Sequence, residues 1–557
     1  MIKKITQNWL PALLICLSLY SNFLIGFFIR GAWAISQGKW ALASICGQRI
    51  IFLTNWLQPV CGQCQQKWLI GMPLIGLRHG GQFLAVSEGF LISGQKVFQG
   101  VIQDRPAAIA KEWPVFREKS QTLLNQASYF QNLKLPFFKD LDISLLEKSL
   151  VLLPDLISLY QAELKKYTFL LQNDRELRPT GGFMGSYAQF EFQRGGLVNY
   201  MVEDIYVPDG AIKGHIEPPE PIQKAFQQGN WRLPNSNWEP HFPQAAETIN
   251  WFFKKAGVES GQGLVALNLG VIEGVLEIIG PVYLPDYELT VNPENFYLLA
   301  QAEVEAGFFP GSTQKKDFLN YLASHLFLKI EGLDLSQLLT IGRWLYQQAA
   351  SRNIQVYCQN PELKSFFTQL GWSGRIEWPF LTGVNDYLLI VDANLGANKA
   401  NVAVSREVNQ QVKEKEKGYQ VSLAVKYVNQ NPFARPRPPE HWGGDYENYL
   451  RIYLPIEAQI QSVFIADELL DKGAVQRELK PAQKVQSVGF FVQAAHGQTK
   501  EAKINYFLPK KENKEKYSLF VQKQSGISYS QQVNFCSLND FCRQKQYWLE
   551  KDQLILF

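Results

Sequence analysis

The stretch Arg175–Tyr187 reads RELRPTGGFMGSY, with two arginines, a helix-breaking proline and paired glycines between apolar runs. A guanidinium fork binds two oxyanion oxygens at once, and the backbone N–H groups of a glycine turn add donors, so this composition suits an anion such as a phosphate. Arg175, Arg178, Gly181 and Gly182 would make that grip. The same residues also fit a purely local role, with Arg178 paired to Glu176 across the turn and the glycines supplying positive φ. Further on, Val202–Ile222 reads VEDIYVPDGAIKGHIEPPEPI. It sets Glu203, Asp204, Asp209, Glu217 and Glu220, with Lys213 and His215, on loops rich in Pro and Gly, where strand ends present functional groups. His215 reads either as a solvated histidine bonded to a neighbouring carboxylate or as a ligand or acid–base group.

Familiar catalytic signatures are missing. The chain has no G-x-S-x-G, no H-E-x-x-H, no Walker lysine loop and no G-x-G-x-x-G after a strand. With 557 residues, 46% hydrophobic and 19% charged, it has material for two or three cores. A net charge of +4 and the lack of a dense Lys/Arg stripe with interleaved aromatics give no support to nucleic-acid binding.

The elements that must position these loops follow from texture. Lys3 and Lys4 precede an uncharged run from Ile5 to Ile29, closed by Arg30, which is long enough to span a bilayer. This predicts an uncleaved single-pass anchor in the cytoplasmic membrane over residues 1–34, with the bulk of the chain extracytoplasmic. Ala32-Trp33-Ala34 leaves a cleaved signal peptide as the alternative. A second apolar stretch at Ile50–Val60, short and beside Arg49, reads either as a second span or as an amphipathic or interfacial segment. Residues 35–166 carry helical spacing, as in Leu123, Leu124, Ala127 and Phe130, broken by Pro136 and Pro154. They are expected to form a helical stalk or bundle.

From Tyr167 the pattern changes to strands alternating with helices, which predicts an α/β core, a mixed sheet with flanking helices, over residues 167–400. The strand Asp386–Ala393 is assigned to it. Residues 401–557 alternate apolar and polar positions between polar turns, predicting an immunoglobulin-like β-sandwich. Of seven cysteines, Cys536 and Cys542 could close a small loop in an oxidising compartment, while Cys61-Gly-Gln-Cys64 is a weak dithiol or zinc signal.

Several of these motifs carry a family resemblance. ELRPTGGFMGSY, DIYVPDG, KGHIEPPEPI, NSNWEPHFP (Asn235–Pro243) and VDANLGANK (Val391–Lys399) resemble, in order, the bacterial membrane-anchored family catalogued as domain of unknown function 4012. Asn237 joins the candidate binding residues through the loop NSNWEPHFP. More distantly, YTFLLQND, VEDIYV, GLVALNLGVIEGVLEIIGPVYL and GSTQKKDFL are similar in order and spacing to the LytR-CpsA-Psr phosphotransferases, which move glycopolymers from a polyprenyl pyrophosphate carrier to the cell wall. That resemblance implies magnesium held by Asp174 and Asp204 at adjacent strand ends, pyrophosphate neutralised by Arg178 with Lys315 or Lys316, and Asp204 or Asp209 as the carboxylate deprotonating the acceptor hydroxyl. The chain departs from the phosphotransferase pattern at Pro179-Thr180-Gly181, where an aspartate is looked for, and at Glu203, Lys315 and Lys316, where arginines are. The function expected is therefore binding, with or without transfer, of a lipid-pyrophosphate-linked envelope glycopolymer, and the alternative is a non-enzymatic envelope scaffold or interaction protein on a degenerate phosphotransferase fold.

Overall fold

The computed structural model describes residues 30, 39–61, 68–102, 106–132, 164–193, 196–227, 229–305, 314–378, 385–438, 440–510 and 516–557. The predicted anchor Ile5–Ile29, Cys64, Pro136 and Pro154 lie outside them. Among the described residues, no helix is long and apolar enough to cross a membrane. Two compact units are distinguished, Met1–Lys165 with Phe192–Val198, and Lys166–Glu191 with Asn199–Phe557.

The first unit contains the helices Trp40–Cys61, Trp68–Ile102 and Pro106–Asn132. Small residues bring the first two together: a Cβ on Gly47 would overlap the backbone of Ala85, and the Ser44 hydroxyl donates to the Ala85 carbonyl at 3.1 Å. His79 stacks on Tyr129 and Phe90 on Phe116, joining the second helix to the third. The three helices described between Trp40 and Asn132 pack on one another, and Ile50–Val60 is part of the first.

The second unit opens with a five-stranded sheet in the order β3-β2-β1-β4-β7, built from β1 Lys165–Asn173, β2 Phe183–Gln193, β3 Gly196–Asp204, β4 Gly263–Asn268 and β7 Ile354–Cys358. β1 and β4 run parallel, and β7 is antiparallel to β4. A small hairpin of β5 Val282–Leu284 and β6 Leu289–Val291 stands apart. The helix Phe242–Lys255 buries Phe242, Ala245, Ala246, Ile249, Phe252 and Phe253 against Leu170 and Leu264 of the sheet, a stripe that follows from its 3.6-residue apolar period. Leu269–Ile279, Gln314–Glu331 and the hairpin share another apolar cluster. This is the mixed α/β layer the sequence predicts.

The C-terminal region is β-rich, as expected, and larger than the immunoglobulin pattern. A six-stranded sheet runs β14-β15-β11-β8-β17-β20 and a seven-stranded sheet runs β13-β12-β16-β10-β9-β18-β19. The strands are β8 Asp386–Asn394, β9 Val404–Lys415, β10 Gly418–Asn429, β11 Tyr446–Pro455, β12 Gln459–Ile465, β13 Glu468–Leu469, β14 Gln476–Lys480, β15 Val485–Ala494, β16 Thr499–Pro509, β17 Ser518–Gln522, β18 Tyr529–Cys536, β19 Cys542–Leu549 and β20 Gln553–Leu556. Both sheets contribute to one core, with Ile390, Leu450 and Val488 facing Val421, Ile504 and Val533. Two pairings, β17 with β8 and β18 with β9, are parallel, whereas immunoglobulin sheets are antiparallel.

One assignment is corrected. The sequence pattern puts β8 in the α/β layer, but it pairs with β11 and β17 in the middle of the six-stranded sheet and all nine of its residues are buried. An apolar run buried on both faces reads alike in either setting, so periodicity does not discriminate between them. Cys536 and Cys542 are directly opposite in the β18–β19 hairpin and joined by a disulfide.

Candidate functional site

The turn after β1 is tied first to itself. Glu176 N donates to Asn173 O, Gly181 N to Arg178 O, and Phe183 N to Glu176 O, so the backbone folds back to start β2. Arg178 is turned inward and only 2% exposed. Its Nη2 donates to Glu176 Oε1 at 2.9 Å, Nε to Asn235 Oδ1 at 3.2 Å, and Nη1 to the carbonyls of Leu177 and Asn394, while Phe183 covers the guanidinium face. The exposed phosphate fork anticipated from the composition is instead a buried arginine with its donors spent on protein acceptors. Such a group leaves a costly hole when removed and has little left to offer a ligand.

Thr180 is the hub of the next residues. Its hydroxyl accepts from Gln172 Nε2 at 2.9 Å and Asn237 Nδ2 at 2.8 Å, and its carbonyl accepts from Gln355 Nε2 at 2.8 Å. Asn237 also donates to the Gly182 carbonyl, so this candidate binding residue is a buried brace. Gly181 has φ +129°, and a Cβ there would overlap Ser525 Oγ and lie 2.6 Å from Asn268 Oδ1. A Cβ on Gly182 would meet Asp174 N at 2.6 Å. Both glycines are thus required by space, and backbone approach is to the protein itself.

The other motifs complete this seam between the α/β layer and the sandwich. Leu177 N donates to Asn401 Oδ1 and Asn394 N to Leu177 O. Trp238 is covered by the Arg451 guanidinium at 4.3 Å, and its carbonyl accepts from Arg451 Nη2. Asp392, in VDANLGANK, is fully buried with Arg406 Nη1 at 2.7 Å, Tyr427 Oη at 2.5 Å and Asn448 Nδ2 at 2.8 Å. His241 Nδ1 accepts the Ile376 N–H at 3.0 Å, and burial with nearby Arg375 pushes its pKa down to about 4. The uncommon residues that carry the family resemblance are therefore largely the residues that join two layers.

The remaining candidates spread over the loops beyond β3. β2 lies between β1 and β3, so Asp174 and Asp204 are not at the ends of neighbouring strands, where the resemblance puts them. Two inter-strand spacings separate the strands, about 9–10 Å. Among the described residues, no group of three or more His, Cys, Asp or Glu is placed to hold a metal ion. Asp204 Oδ1 accepts the Tyr206 N–H. Asp209 is a buried anchor rather than an open base: Oδ1 accepts Leu233 N at 2.8 Å and Oδ2 accepts Arg232 Nε at 2.7 Å. Lys316 pairs with Glu203 at 2.6 Å, which satisfies that carboxylate within the protein. Lys315 lies on the same helix, and its side chain falls outside the described residues. Lys213 is exposed, and His215 is 61% exposed with Glu217 at 2.8 Å, the solvated-loop reading.

Asp174 is the group in this set with a perturbed titration. Burial, opposed by Arg175 and reinforced by Glu273, pushes its carboxyl up to about 7. Arg175 pairs with Glu273 at 3.0 Å and stacks 3.5 Å over the Tyr297 ring, so it too is engaged by protein. Sequence reasoning missed Arg352, Asp552 and Lys523. Arg352 Nε and Nη2 grip Asp552, while the buried Lys523 Nζ donates to the carbonyls of Ser351 and Gln524. Burial pushes Lys523 down to about 7. No motif marks them; an Arg, a Lys and an Asp far apart in sequence carry no spacing signal.

Compared with known proteins, residues 163–304 match a family model described as a protein of unknown function (DUF4012). The match starts at β1, holds the turn with Arg178 and the loops to Asn237, and ends in the helix Pro293–Glu305. It agrees with the first of the two resemblances. No curated protein matches the chain.

Proposed function

We propose that this chain is a non-enzymatic scaffold or interaction protein of the cell envelope, in which the phosphotransferase-like motifs weld an α/β layer to a β-sandwich. The observation carrying this reading is Arg178, buried and bonded to Glu176, Asn235, Leu177 and Asn394. An extracytoplasmic location is supported by the Cys536–Cys542 disulfide, since oxidising compartments let such bonds persist, and by the charge-flanked apolar run Ile5–Ile29. The anchor would hold the scaffold at the membrane.

One observation favours the other reading, transfer of a glycopolymer from polyprenyl pyrophosphate. Asp174, with its carboxyl pushed up to about 7, has the titration a general acid–base group needs near neutral pH. Melting curves of the full chain and of Arg178→Ala, with and without farnesyl pyrophosphate and magnesium, separate the two. On the scaffold reading Arg178→Ala strands the Glu176 carboxylate, costs about 3–5 kcal/mol and lowers the melting temperature, and ligand shifts neither protein. A wild type stabilised by ligand, with Arg178→Ala folded normally but unresponsive, would restore the transfer reading.

A further inference from the structure

A strand at the edge of a sheet presents unpaired backbone N–H and C=O groups, and natural proteins cover or shorten it. Most edges here are managed in that way. On β3 the Asn320 side chain accepts from Val202 N at 2.8 Å and donates to Val202 O at 2.7 Å, and on β7 the Val356 N–H is taken by Trp372 O. β13, at one end of the seven-stranded sheet, is two residues long. β14 and β20, at the ends of the six-stranded sheet, have five and four. β19, at the other end of the seven-stranded sheet, runs for eight residues without a proline. Among the described residues, no strand pairs with its outer side.

β19 is presented as a finished strand. It pairs with β18 along its whole length, and the Cys536–Cys542 disulfide ties down its first residue, so a partner strand would meet it already ordered. Cys542 to Gln546 are exposed, and Trp548 is 57% exposed. The cations that would guard such an edge are turned back on their own chain. Lys545 donates to the Leu556 carbonyl at 2.8 Å and lies over the Phe557 ring, and Arg543 lies over Phe541.

The strand is also complementary to itself. Two antiparallel copies related by a two-fold axis match faces only when opposed residues lie an even number of positions apart in the sequence. Centred on Gln546, the pairing sets Gln546 against Gln546, Lys545 against Tyr547, Gln544 against Trp548 and Arg543 against Leu549, with no like charges opposed. Centred on Lys545 it would oppose two lysines, and centred on Gln544 it would oppose Arg543 to Lys545, both unfavourable. Centred on Tyr547 it keeps only residues 545–549 of the strand in register.

We propose that β19 is a homodimerisation edge, through which two copies of this chain join their seven-stranded sheets into one continuous sheet, antiparallel and in register at Gln546. This goes beyond the scaffold reading, which names no partner.

Cross-linking of the full chain in detergent micelles tests it. Residues opposed at the centre have Cα atoms about 4.5–5.5 Å apart, within reach of a disulfide, so Gln546→Cys is expected to give a covalent dimer under mild oxidation. Trp548→Cys should not, because its two copies would stand about 13–14 Å apart. Wild type treated alike sets the background from the native cysteines. Gln546→Lys and Gln546→Glu should each weaken self-association by up to about fivefold, read by light scattering, and an equimolar mixture should restore it. This second pair decides the matter if Gln546→Cys mispairs with Cys536 or Cys542. A monomeric wild type would overturn the proposal, as would equal cross-linking at positions 546 and 548. A dimer that the charge variants leave unchanged would also overturn it and place the contact elsewhere in the chain. The Arg178 melting experiment does not involve β19, so the two readings fail separately.

Discussion

The buried pair Asp392–Arg406 allows a prediction to be worked through. Both side chains are 0% exposed, with Arg406 Nη1 2.7 Å from Asp392 Oδ2. The other carboxylate oxygen accepts from Tyr427 Oη and Asn448 Nδ2. The arginine is less well served. Its Nε and Nη2 have no hydrogen-bond partner, and the Tyr529 ring lies 4.0 Å from the guanidinium. Arg406→Met alone leaves a buried carboxylate with two neutral donors, at a cost of about 3–5 kcal/mol. Asp392→Asn alone leaves the cation, softened by about 1–2 kcal/mol from the aromatic face, so roughly 2–4 kcal/mol is expected. When both substitutions are combined, the introduced amide can still accept from Tyr427, the thioether chain fills the path of the arginine, and the orphaned guanidinium donors disappear. The cost of the double variant should be no more than about 2 kcal/mol, a coupling on the order of 3–7 kcal/mol between the two sites. Amide exchange at β8 and β11, followed as a double-mutant cycle, reads this locally and avoids treating a multi-unit chain as two-state. Additive single costs would refute the account and mean that the packing of each residue, rather than the pairing of charge, is what matters.

His241 has a depressed pKa, so its stabilising share is whole above about 6.5 and is lost as pH falls through about 4. Stability should drop by up to about 3 kcal/mol across that window, and His241→Asn should flatten the profile seen in denaturant midpoints. Asp174 has the opposite sign: a carboxyl pushed up to about 7 favours the fold at low pH and opposes it as pH rises from about 4 through 7. Asp174→Asn should therefore raise stability at pH 8 by about 2–4 kcal/mol and leave it unchanged at pH 4; a variant equally affected at both pH values would exclude the titration. Reduction of Cys536–Cys542 should cost about 2 kcal/mol and loosen β19 while β10 and β16 keep their exchange protection. Peptide mapping should find the two cysteines linked in protein isolated from its native source, and freely alkylated thiols would count against both the bond and the proposed extracytoplasmic compartment.

Local pattern was enough to reveal much of the architecture. The apolar period of Phe242–Lys255 and the alternation along β9 and β10 set those elements whatever surrounds them, because a helix stripe or a half-buried strand is a property of successive side chains. The turn at Arg178–Gly182 was equally legible, since proline and paired glycines have few conformations to choose from. What the residues of that turn do was decided elsewhere. Arg178 meets Asn394, 216 residues away, Leu177 meets Asn401 at 224, and Gln524 reaches Arg178 across 346. β8 joined the sandwich because β11 and β17 flank it, and Asp174 was separated from Asp204 because β2 lies between their strands. An arginine among glycines and carboxylates is chemically the same whether it faces water or a carbonyl. Which it faces depends on partners brought by long-range strand pairing, and that pairing leaves no mark in the spacing of the residues themselves.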